Sequence, residues 1–244
     1  MSKNPMQWYQ SEARRDAQVR RRSMRATGET GGIFLYAMNN LSKLLESIAA
    51  VLPANDAVAE AKFLFAAHAY SLLWNAWWGA LSGYYGSAWQ PIRAFDECRE
   101  YLLILRCKPE IVDDLRHRKG TFEQHRAILK SVLENLGDYG RAVWDQKRKS
   151  EWAKHKLAHA TLRSIGSLYP GIRDRLDHPG QGDRGAIRAF DRRTVIETGV
   201  GLAEAALDLL DVVVFSFEAL DDRGQMKATN DHYREQLRLI LAQL

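Results

Sequence analysis

Arg173, Asp174 and His178 are the residues best suited to chemistry, within the run Ile172-Arg173-Asp174-Arg175-Leu176-Asp177-His178. Four residues separate the arginine from the histidine, which on a helix sets their side chains on nearby turns. A guanidinium holds a phosphate by paired hydrogen bonds, and an imidazole near its ordinary pKa takes or gives a proton at neutral pH. Together they suit cleavage of RNA by its own 2′-hydroxyl without a metal. The imidazole moves the proton, and the guanidinium stabilises the charge that builds on the phosphorane. The spacing alone is unspecific, because Arg118 with His125 and Arg148 with His155 come close to repeating it. Context separates the first pair. It lies between Tyr169-Pro170-Gly171 and Pro179-Gly180, a break where a helix end can open toward a ligand. The structural alternative is an ion pair of Arg173 or Arg175 with Asp177 at a helix end, capped by His178.

Upstream, Gly83-Tyr84-Tyr85-Gly86-Ser87-Ala88 leads into Arg93-x-x-x-Glu97, whose two charges fall one helical turn apart. The pattern Arg-[Asn/Asp]-x-x-x-His resembles the active-site motif of HEPN ribonuclease domains, helical bundles of toxin-antitoxin, abortive-infection and other antiphage systems. The Gly-Tyr and Arg-x-x-x-Glu helix, followed by Tyr169 and then His178-Pro179, is similar to a bacterial helical family that pairs these two elements. The likeness covers roughly residues 60 to 180, and Asp174 stands where many HEPN enzymes carry asparagine. It implies Arg173 and His178 as the catalytic pair, with Asp174 orienting one of them and Tyr169 in a supporting role. It also implies that Arg93 and Glu97 buttress the site, against the simpler reading of a buried helix–helix ion pair. A homodimer with facing sites, RNA as substrate and a protein partner such as an antitoxin follow from the same likeness.

Other constellations lead to less. Glu151, His155 and His159 recur every four residues, as metal ligands on a helix do, but Lys149, Lys154 and Lys156 surround them and would repel a cation. No metal or cofactor is expected. There is no phosphate-binding Gly-rich loop, no Gly-x-Ser-x-Gly elbow, and no histidine at a spacing that would pair with Cys98 or Cys107. Trp74, Trp77 and Trp78 read as core, and Tyr84, Tyr85 and Trp89 read as packing before base stacking.

The elements that must position these residues are helical. Apolar residues recur at spacings of three and four through Ile33–Val51 (ended by Pro53), Val58–Leu81, Ala88 to Cys107 (stopped by Pro109), 121–137, 141–168, Thr194–Ala219 and Asp231–Leu244. The expected fold is an all-α helical bundle around a long aromatic-rich hairpin, residues 58 to 107. With 46% apolar and 27% charged residues, 17 glycines and 6 prolines, the chain has a globular balance that excludes disordered, collagen-like and disulfide-scaffold classes. The uncharged run Phe63–Ile92 is long enough to span a bilayer, but His68, Ser71 and Asn75 interrupt it and its tryptophans sit centrally, so no membrane span is expected.

Charge is concentrated at one end. Residues 1–26 carry Lys3, Arg14, Arg15, Arg20, Arg21, Arg22 and Arg25 against Glu12 and Asp16, which equals the net charge of +5 for the whole chain. The expected organisation is therefore a basic N-terminal arm or helix, 1–26, on a single bundle domain, 27–244. Those arginines are the expected nucleic-acid-binding residues, because each one that neutralises a phosphate releases a counterion. The arm lacks the apolar run of a secretory signal, and two isolated cysteines suit a reducing cytoplasm. The functional expectation is a metal-independent endoribonuclease of a bacterial defence or toxin system. The other reading is a non-catalytic helical interaction or sensor protein, able to bind nucleic acid through its arm alone.

Overall fold

A computed structural model describes residues 5–117, 119–135, 137, 141, 144–145, 190–217 and 223–244. Among these residues the fold is all-α: eight helices and no strand. In chain order they are α1 (Pro5–Ala26), α2 (Gly28–Val51), α3 (Ala57–Leu81), α4 (Tyr85–Cys107), α5 (Ile111–Arg116), α6 (Phe122–Glu134), α7 (Arg192–Phe217) and α8 (Arg223–Ala242).

The hairpin of α3 and α4 is the most extensively packed pair, and α7 lies across α2, α3 and α4. Its boundaries follow from local chemistry. The Asp56 carboxylate accepts from the amides of Val58 and Ala59 at 3.0 Å each, which caps α3. The turn to α4 passes through Gly83 at φ 78, a left-handed conformation open to glycine at no steric cost. α4 then tolerates Pro91 and stops at Lys108, before Pro109. α6 begins with a capping box, in which Thr121 and Gln124 satisfy each other's backbone amides.

The principal core joins α2, α3, α4 and α7 with Leu237 of α8. At its centre the fully buried Phe34 stacks on Trp77 at 4.3 Å and meets the edge of Trp74 at 5.5 Å. Of the aromatic corner, Tyr85 is buried and Trp89 packs partly buried against the same core. Trp78 departs from expectation: it is 49% exposed. Positions 74, 77 and 78 share one broad helical face about 100° wide, and Trp77 falls at its inward edge while Trp78 falls at the edge that meets solvent. α8 starts at Arg223, earlier than the pattern from Asp231 suggested. No helix is long and apolar enough to cross a membrane, among the described residues. The predicted helix 141–168 lies largely outside the described residues.

Candidate functional site

Residues 5–26 form a helix laid on the bundle rather than a free extension. Val19 and Ser23 are buried along its inner face, and α1 packs against α7, α3 and α2. Its end is pinned by short-range chemistry. The Thr27 hydroxyl donates to the Ser23 carbonyl at 2.9 Å, and Thr30 donates to the Thr27 carbonyl at 3.0 Å. A methyl on Gly199 of α7 would come within 3.2 Å of Thr30 and 3.3 Å of Thr27. Glycine there is what lets α7 approach the α1–α2 junction so closely.

The opposite face of α1 carries the arginines. Arg14, Arg21, Arg22 and Arg25 are exposed, while Arg15 and Arg20 are half-buried. At 100° per residue, Arg14, Arg21 and Arg25 fall within about 20° of one line running roughly 16 Å along the axis. Arg20 is paired with Asp16 one turn earlier. No ion pair is found for Arg14, Arg21, Arg22 or Arg25 among the described residues. The result is an open cationic line, which has the form of a surface for a polyanionic backbone.

A second polar cluster lies where α4 meets α6. The Arg93 Nε donates to Glu97 Oε1 at 3.1 Å, so the expected one-turn pair exists. It is not the buried helix–helix bridge considered from sequence: it lies within α4, with the Arg93 side chain 67% exposed. The deeper pair was not foreseen. Glu100, almost fully buried, meets Arg126 of α6 at 3.0 Å, and the Arg126 guanidinium also lies over the rings of Phe122 and Trp144. Glu97, Glu100, Phe122 and Arg126 border a cleft of only about 30 Å³, too small for anything but a few waters. Arginines neutralise these carboxylates, and among the described residues no cluster of His, Cys, Asp and Glu could hold a metal.

A third cluster ties α4, α7 and α8 together. Arg99 meets Asp96 at 3.2 Å and Asp208 of α7 at 3.3 Å. Arg234 of α8 reaches Asp208 at 3.0 Å and Asp211 at 2.6 Å, and Asn230 donates to Asp211 at 2.6 Å. Burial would lower the Arg234 pKa, but hydrogen bonds and charge from Asp211 and Asp208 outweigh it and raise the value. The sequence signal was present: Glu204, Asp208 and Asp211 recur at spacings of four and three, on one face of a helix rich in apolar residues.

Two other titratable groups, His125 and Cys98, are buried. The His125 Nδ1 lies 3.3 Å from the Tyr101 hydroxyl. Burial, with a contribution from Glu97, pushes the Cys98 thiol up to about 11, so it is no nucleophile. Arg173, Asp174, His178 and Tyr169 lie outside the described residues, as do His155 and His159. Of the residues singled out from sequence, the structure thus describes the Arg93–Glu97 pair and the arginines of α1. Comparisons with protein families, with curated proteins and with solved structures gave no match to this chain.

Proposed function

We propose that this chain binds RNA through the outer face of α1 and cleaves it without a metal at a site built on Arg173, Asp174 and His178. The observation that carries the binding half is the line of Arg14, Arg21 and Arg25, exposed on a helix whose other face is packed on the bundle. Cations held on a docked helix keep their spacing, so less order must be created when a phosphate backbone arrives. The cleavage half rests on the resemblance to HEPN ribonucleases, with which an all-α bundle agrees. In this reading Arg173 binds the scissile phosphate and His178 transfers protons. Arg93 and Glu97 act as support, and a homodimer in a bacterial defence or toxin system is the setting.

Binding is tested by fluorescence anisotropy with an RNA strand across a salt series. Reversing Arg14, Arg21 and Arg25 to Glu is expected to weaken binding and to flatten the log–log salt slope by about 2, near 0.7 per lost phosphate contact on a single strand. An unchanged slope would remove α1 from the interface. For chemistry, the wild type in chelator should leave 2′,3′-cyclic phosphate ends and spare 2′-deoxy strands, and His178→Ala should abolish cleavage while retaining binding. Binding with equal cleavage by both proteins would refute the catalytic assignment.

A further inference from the structure

We infer that Trp78 is a stacking platform for an unpaired base of the nucleic acid held by α1, an inference that rests on the RNA-binding reading above. Trp77 turns inward onto Phe34, whereas Trp78 leaves half its surface open. Its ring is not loose. It stacks on Trp74 at 6.4 Å with planes 21° apart, so the side chain is already ordered before any ligand arrives.

Two features distinguish it from an isolated surface tryptophan. The first is position. The neighbouring Trp77 ring lies 3.5 Å from where a methyl on Gly31 would sit, and the Thr27 hydroxyl lies 3.8 Å from the same point. Trp77 precedes Trp78 and Thr27 follows α1, so the C-terminal ends of α3 and α1 are neighbours in the fold. The second is charge. From Ala61 to Phe95 the chain has no Asp or Glu. The outward strip of α3, with Leu64, His68, Ser71, Asn75 and Trp78, accordingly offers nothing that repels a phosphate. Proteins hold single strands by combining cations with exposed aromatic rings, because every base has a π-face and only an unpaired one is free to use it. Duplex bases are already stacked on each other.

The test uses the full chain and fluorescein-labelled, uncleavable 2′-O-methyl strands, one bearing bases and one abasic at its central positions. The wild type should bind the base-bearing strand about tenfold more tightly. Trp78→Ala should bring that ratio to about one, and Trp78→Phe should preserve most of it, with circular dichroism confirming that both variants are folded. Reversal of Arg14, Arg21 and Arg25 should weaken both strands and leave the ratio above one. A ratio of one in the wild type overturns the inference while leaving RNA binding intact. So does a ratio that Trp78→Ala does not change. A wild type that binds neither strand overturns the RNA-binding reading and this inference with it.

Discussion

Cys98 and Cys107 occupy one helix and have opposite reactivities. Cys107 is exposed at the end of α4, whereas Cys98 is buried and its pKa is raised from an ordinary 9 to about 11. Burial disfavours the thiolate, which is the species that attacks disulfides and alkylating reagents. A disulfide reagent at neutral pH should therefore modify one thiol per folded chain, at Cys107, and a second only on unfolding. The same shift gives a pH dependence. Because the folded state holds the Cys98 proton more tightly, the contribution is complete below pH 9 and is lost as pH rises through 11. Urea unfolding of the wild type and of Cys98→Ala, compared between pH 8 and pH 11, measures it: the wild type should lose stability faster over that window. Other charges were less legible at this scale. Arg93 and Glu97 announced their pairing by sequence spacing, but Glu100 with Arg126 and Arg99 with Asp208 join residues from different helices, and no local pattern fixes such partners.

Helices α2 and α7 show how similar glycines have opposite effects. Gly32 lies on the outer face of α2 with nothing near a would-be Cβ, so Gly32→Ala should stabilise by about 0.5–1 kcal/mol through helix propensity. Gly201 lies on α7 with the Trp89 ring edge 3.0 Å from the same point. Gly201→Val should destabilise by roughly 1–3 kcal/mol, because a branched side chain must displace the indole. Equilibrium urea unfolding of both variants checks the pair of signs. The ends of α2, α3 and α4 were legible in the sequence, whereas α5 and the start of α8 were not. Pro53, Gly83 and Pro109 punctuate α2, α3 and α4 where the turns occur, and the Thr121–Gln124 spacing marks the start of α6. The orientation of α3 was harder to see, because a helix apolar on most sides has no single face to bury. That is why Trp78 was assigned to the core and is found in solvent.

At the scale of the whole molecule, α8 is held by Leu237 in the principal core and by Arg234 among Asp208, Asp211 and Asp231. Arg234→Met keeps most of the side-chain length while removing the charge and its hydrogen bonds. It should cost about 2 kcal/mol, and in a chain of 244 residues that lowers the melting temperature by about 4–8 °C. Differential scanning calorimetry reads the shift, which should shrink at high salt because the aspartates are partly exposed. The division of apolar packing has a further consequence. Ile104, Ile111, Leu129 and Trp144 form a small core of their own, apart from the large one that contains Phe34, Trp77 and most of α7. α4 belongs to both and is the strut between them. Among the described residues this core is the less extensive of the two, so the amides of α6 should exchange with deuterium through an opening that costs less than global unfolding. Those of α2 and α7 should wait for the whole molecule to unfold. Opening would then break the Glu100–Arg126 pair and leave the arginine face of α1 in place.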